Sequence, residues 1–139
     1  MKTYGFSRKT AAPPDRVWAL WSDPSNWSTW NSGIQSAELD GLVANGKKGR
    51  MTTNRGTVHD VTFHDVREER GFSMSMAGPP MTTFTFNCEI TPDGSGSTIA
   101  QNVAMTGPTA FLFGAMMGDE MAKHFVPVLD DLAKAAESS

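Results

Sequence analysis

Thr82-Thr83-Phe84-Thr85-Phe86-Asn87-Cys88-Glu89-Ile90 changes character at nearly every step. Phe84, Phe86, Cys88 and Ile90 share one parity; Thr83, Thr85, Asn87 and Glu89 share the other. Successive side chains of a strand point to opposite faces, so this stretch predicts a strand with one apolar and one wet face. The same pattern recurs on either side of it. Phe72, Met74 and Met76 alternate with Ser73, Ser75 and Ala77, and Ile99, Gln101, Val103 and Met105 with Thr98, Asn102 and Thr106. Turn signals separate the runs: Asn45-Gly46, Asn54-Arg55-Gly56, Gly78-Pro79-Pro80 and Asp93-Gly94-Ser95-Gly96. From Ile34 to Thr106 the chain therefore reads as an antiparallel meander, since parallel strands are buried on both faces and lack such alternation.

The flanks complete the plan. Pro13-Pro14 ends a first extended segment, Lys2 to Ala12, and puts Pro14 where a helix starts without losing a bond. Asp23-Pro24 repeats the device, with Asp23 placed to cap and Trp27 and Trp30 three apart on one face. After Gly107-Pro108 the period becomes helical: Phe113, Met117, Met121, His124, Val128, Leu132 and Ala135 recur at three- and four-residue steps. Pro127 lies within this long helix and predicts a bend near Lys123 to Pro127. A sheet of about seven strands cannot bury its apolar face unaided, and this helix is the only element large enough to cover it. The expected fold class is α+β: two short helices after the first strand, then a curved antiparallel sheet around a C-terminal helix.

The chain has 139 residues, 39% of them hydrophobic, and a formal net charge of −3. Those values fit one ordered domain spanning residues 1–139 and exclude a disordered chain. The most apolar stretch, Phe111 to Met117, is far shorter than a membrane span. Met1-Lys2-Thr3-Tyr4 opens no apolar secretory segment, so the expected location is cytoplasmic. One cysteine, Cys88, excludes an internal disulfide and a Cys-cluster metal site, and mild acidity argues against a nucleic-acid partner.

This order of elements, with Ala12-Pro13-Pro14-Asp15-Arg16-Val17-Trp18 and Asp23-Pro24-Ser25-Asn26-Trp27-Ser28-Thr29-Trp30-Asn31, resembles the START/pollen-allergen-like helix-grip superfamily. Within it the chain looks like the polyketide cyclase/dehydrase (SRPBCC) branch. The resemblance covers nearly the whole chain and implies a deep pocket between sheet and helix for lipids, sterols, polyketides or other apolar molecules. Carriers, regulators, cyclases and dehydratases share that fold, so the fold alone does not choose among them.

The inward-facing set is either a plain packed core or the lining of such a pocket. Nine methionines favour the pocket, because Met re-packs around irregular spaces. Its expected volume is on the order of several hundred cubic ångströms. The candidate ligand-binding residues on the sheet are His59, Phe63, Met74, Met76, Phe84, Phe86, Gln101, Val103 and Met105. Phe72 shares their parity. Opposite them stand Phe113, Met117, Met121, Phe125 and His124 of the helix. Trp30, like Trp18, Trp21 and Trp27, either stacks on a flat ligand or anchors a short helix.

His59 is carried inward by Val61 and Phe63, and a bulge in that run would reverse it. His59 and His124 are the candidate acid–base residues; the blander reading of His124 is a boundary residue satisfied by a backbone carbonyl or by Glu120. Tyr4 and Arg8 share a face of the first strand, and Arg55 stands near the expected mouth. His59-Asp60 and His64-Asp65 suggest a metal, but the five-residue offset sets the two His on opposite faces, so no metal and no cofactor is expected. Phe111-Leu112-Phe113-Gly114-Ala115-Met116-Met117-Gly118 is either a buried first turn or a gate softened by glycine.

The reading reached is a protein that binds a small hydrophobic or amphipathic molecule. The alternative is a cofactor-independent polyketide cyclase, aromatase or dehydratase using a cavity His. A monomer or weak homodimer is expected, since Thr, Ser and Asn on the outer face give little drive for association.

Overall fold

Pro13 and Pro14 divide the first two elements in a computed structural model that describes residues 3–78 and 81–138. Lys2 of the expected first segment and Pro79-Pro80 of the expected break lie outside the described residues. Strand β1 (Thr3–Thr10) leads into helix α1 (Pro14–Trp21), then a 3-10 turn (Pro24–Asn26) runs into the one-turn helix α2 (Trp27–Trp30). Strands β2 (Ile34–Glu38), β3 (Lys48–Thr53), β4 (Val58–Arg67), β5 (Gly71–Ala77), β6 (Thr83–Asp93) and β7 (Gly96–Thr106) follow, and helix α3 (Ala110–Glu137) closes the chain.

The strands form one antiparallel sheet in the order β1-β7-β6-β5-β4-β3-β2. Strands β2 to β7 are the expected meander; β1 returns to the far edge and pairs with β7 from Thr3↔Ala104 to Thr10↔Ser97. This is the helix-grip fold, with the core between the sheet and α3. Phe125, Leu129, Leu132, Ala133 and Ala136 of α3 are buried there, with Val17 and Trp21 of α1. Among the described residues no helix is long and apolar enough to cross a membrane.

Four details position the site. Phe72 of β5 is the anvil for the short helices: its ring lies 6.0 Å from that of Trp21, 6.1 Å from Trp27 and 6.4 Å from Trp18. Asp23 takes the cap position of the 3-10 turn, yet its carboxylate accepts from Ser25 Oγ and Asn26 Nδ2, each at 2.6 Å, instead of from a backbone N–H. A bulge in β4 falls between His64 and Arg67, where Asp65 has φ 52°, so it follows the run from His59 to Phe63 and leaves its parity intact. Beyond it Val66 packs against the core. The outer face is polar in rungs: His64 Nε2 lies 2.6 Å from Ser75 Oγ, and Ser73 donates to Asn87, which donates to Asn102.

Helix α3 differs from the expected phase. Its buried residues are Gly114, Gly118, Phe125, Leu129, Leu132, Ala133 and Ala136, about one position on from the apolar stripe. Gly114 and Gly118 face the Tyr4 ring on β1, and the missing side chains let helix and strand approach. The phase shift turns His124 into solvent. The first turns are not buried: Phe111 is 82% exposed and Met116 68%. Pro127 stands on the exposed side, and α3 is assigned as one helix across it. The C-terminal half is tied to β1: Arg8 Nη1 pairs with Asp130 Oδ1 at 2.6 Å, and Thr10 Oγ1 donates to Glu137 Oε2 at 2.6 Å.

Candidate functional site

The sheet and the helices leave a cavity of about 260 Å³ between them, partly open to solvent. Strand pairing builds its floor in rows, because residues directly opposite on neighbouring strands share a face. Phe72, Cys88 and Gln101 form one row across β5, β6 and β7, and Met74 and Phe86 belong to the next. Met76 and Phe84 extend it toward the strand ends. Ile34 of β2, Met51 and Thr53 of β3 and His59 of β4 make the far wall, with Met51 paired to His59. The roof is Trp21, Trp27, Trp30 and Asn31 from the short helices, with Met121 and Val128 of α3.

Chemically the cavity is apolar with a few polar groups, and none of the described residues lining it is Asp, Glu, Lys or Arg. Asn31 is buried and its Oδ1 accepts from Gly33 N at 2.9 Å. Trp27 Nε1 donates to the Trp21 carbonyl at 3.1 Å. Two polar atoms differ from these. Trp30 Nε1 and Gln101 Oε1 are fully enclosed and have no hydrogen-bond partner among the described residues. Buried polar atoms are normally paired; these two, with essentially no accessible surface, lie in the packed wall and do not face the open space. The Cys88 thiol is pushed up by burial, with the charge of Glu89 adding to it, so it stays a neutral, apolar part of the wall.

Of the expected ligand-binding residues, Trp30, His59, Met74, Met76, Phe84, Phe86, Gln101 and Met121 line the cavity. Phe63 and Val103 are fully buried in the solid core beside it. Met105 faces a separate surface cleft with Tyr4, Ala110 and Phe111, across β7 from the cavity. Phe113 and Met117 pack against the core without lining the cavity, a consequence of the helix phase. His124 is exposed and stands outside it, so only one of the two candidate acid–base histidines reaches the enclosed space. Arg55 is exposed in the β3–β4 turn and Arg8 is engaged with Asp130, so neither is part of the lining. Trp21 and Trp27 do both things considered for them: they anchor their helices on Phe72 and wall the cavity.

Sequence reasoning missed Asn31, Ile34, Met51, Thr53, Cys88 and Val128 as lining residues. Signals existed for two. Cys88 has the parity of Phe84 and Phe86, and Val128 lies two helical turns after Met121. Strands β2 and β3 offer no clean alternation, so Ile34, Met51 and Thr53 had none.

A family model described as "Polyketide cyclase / dehydrase and lipid transport" matches residues 3–137. Solved structures of the same fold include Ara h 8.0201, with TM-score 0.78, 12% identity and 99% of each chain covered. XoxI from Bacillus cereus has TM-score 0.78 and 15% identity, covering 99% of this chain and 96% of that one. TTHA0849 from Thermus thermophilus has TM-score 0.73 and 15% identity, covering 99% and 98%. No curated protein matches in sequence. At these identities the structural likeness concerns the fold alone.

Proposed function

Because the chain belongs to the polyketide cyclase / dehydrase and lipid transport family, we propose that it binds a small hydrophobic or amphipathic molecule in the cavity between its sheet and α3. One observation carries this reading: about 260 Å³ of space walled by aromatic and Met side chains, with no formally charged residue in the described lining. Affinity then comes chiefly from apolar burial, at roughly 25 cal/mol per Å² before ordering costs. The volume lies just below the roughly 300–1,000 Å³ of drug-sized pockets, which favours a compact guest over a long acyl chain. Met74, Met76 and Met121 supply walls that adjust to its outline.

His59 supports the second reading, a cofactor-independent cyclase, aromatase or dehydratase in which it moves a proton. Among the described residues the lining provides no carboxylate to orient or assist it, and binding is therefore the better supported of the two. His59→Gln decides between them: retained uptake with lost turnover of a poly-ketone favours the enzyme.

Native mass spectrometry of protein purified from its own host tests the main reading. The expected result is an added small mass that is lost on denaturation. Three Trp residues line the cavity, so saturable quenching of intrinsic fluorescence by small aromatics is a second readout. Neither adduct nor saturable quenching would overturn it.

A further inference from the structure

The polar side chains of the cavity are gathered on one side of it. Thr53 and His59 lie on the wall made by β2, β3 and β4, where Ile34 pairs with Thr53 and Met51 with His59. Asn31 joins them from the segment leading into β2, and Asn54 N donates to the Gly33 carbonyl at 3.0 Å, which ties that segment to the β3–β4 turn. The part of the lining from β5 and β6 carries only Phe, Met and Cys88. Gln101 on β7 is the exception, and its Oε1 is sealed in the wall. The space therefore has an apolar pole and a polar one, and a few placed polar groups are what orient a guest in an apolar pocket.

The polar pole offers chiefly donors. Asn31 Oδ1 already accepts from Gly33 N at 2.9 Å, which leaves Nδ2 to donate. Thr53 Oγ1 accepts from Thr57 N at 3.3 Å, which leaves its hydroxyl proton. The His59 ring makes no hydrogen bond among the described residues, and an imidazole carries one N–H when neutral and two when charged. Unlike Trp30 Nε1 and Gln101 Oε1, neither the His59 nitrogens nor Asn31 Nδ2 is sealed off. No Asp or Glu among the described lining competes for these donors or repels an anion. Cys88 stays neutral, and any charge on His59 is positive. Thr53 and His59 are half-buried in a cavity that is partly open, so a charged end held beside them keeps part of its water.

We infer that the guest is an amphipathic acid, with its apolar body against β5 and β6 and its carboxylate at the polar pole, held by His59 with Thr53 and Asn31 as further donors. A carboxylate only accepts, through two oxygens, and bonds assisted by its charge are roughly twice as strong as neutral ones. A cationic end finds no counter-charge there. The inference rests on the cavity being a binding site and adds which polar end that site selects.

Titration calorimetry of the full chain at pH 7 with 2-naphthoate, 2-naphthalenemethanol and 2-naphthylmethylammonium tests it, because the three share one body and differ at one end. The expected order is carboxylate, alcohol, ammonium, with the carboxylate roughly five- to tenfold tighter than the alcohol. His59→Phe keeps a ring and removes the donor, and should reduce that lead to under about twofold; His59→Gln, which keeps a donor, should restore part of it. The order of the three probes on the unaltered chain needs no variant, so a substitution that fails to fold does not spoil the test. An alcohol that binds as tightly as the carboxylate, tightest binding of the ammonium, or a lead that survives His59→Phe would each overturn the inference while leaving the cavity a binding site. Failure of all three probes to bind would bring down both readings.

Discussion

The ring of Tyr4 fills the space over Gly118: a methyl group placed on that glycine would stand 2.5 Å from Cε1, Cε2 and Cζ. At Gly114 the nearest atom is the Tyr4 hydroxyl at 3.0 Å. Strand β1 and the first half of α3 meet here because the helix carries no side chains on that side. Gly118→Ala therefore costs overpacking of about 1–3 kcal/mol, offset in part by roughly 1 kcal/mol of helix propensity. Thermal melts should show a midpoint lowered by roughly 3–8 °C, with a smaller loss for Gly114→Ala. In a Tyr4→Ala background the sign should reverse. A glycine kept only to soften a gate would instead give stabilisation in both backgrounds.

Phe72 touches four other rings, with Phe63 at 5.7 Å completing the set around it. It is 1% exposed and joins α1 and α2 to the sheet. Phe72→Ala should cost about 3–5 kcal/mol in equilibrium denaturation. Near-ultraviolet circular dichroism should lose the signal of the packed Trp residues. A cost under about 1 kcal/mol would show that these helices are held by something else.

The Glu137 carboxyl is held below its usual range by the Thr10 hydroxyl, then by the Ala11 N–H and the charge of Arg8. A carboxyl whose folded pKa is depressed stabilises the fold above its unfolded pKa. That contribution is complete above about 4.5, the ordinary value, and is lost as pH falls through the lower folded value. Glu137→Gln should lower the melting midpoint at pH 7 by roughly 2 °C or less, because the group is exposed. The gap to wild type should close in acid. A gap that persists in acid, once the carboxyl is protonated in the folded state as well as the unfolded one, would refute the assignment.

Cys88 is 3% exposed and its thiol is pushed up by burial, so almost no reactive thiolate forms at neutral pH. Native protein should react with N-ethylmaleimide roughly a hundredfold more slowly than unfolded protein. Cysteine labelling during a urea titration should follow unfolding monitored by fluorescence. Fast labelling of the native state would mean that the cavity wall opens.

Strand parity was legible because the outward positions are Thr, Ser and Asn, which mark the wet face as clearly as Phe and Met mark the dry one. It carried Gln101, the β5 and β6 residues and His59 to the correct side. His59 succeeded because the β4 bulge comes after Phe63. The phase of α3 was not legible. Glycine has no hydrophobic side chain to contribute to a pattern, yet Gly114 and Gly118 face inward because Tyr4, more than a hundred residues earlier, needs the room. His124, Phe113 and Met117 were misplaced with that phase. The wall from β2 and β3 was hidden for another reason: these strands are short and mix half-buried with exposed positions, so only the pairing of Met51 with His59 and of Ile34 with Thr53 brings that wall together.

The return of β1 to the side of β7 has a consequence for how the protein is made. Strand β1 acquires its neighbour β7 only after the intervening strands have been synthesised, and Thr10 waits longer still for Glu137 on α3. The nascent domain must therefore carry β1 as an unmatched ribbon until β7 has been made. Premature termination before the last helix would strand it as a sticky edge for quality control to recognise.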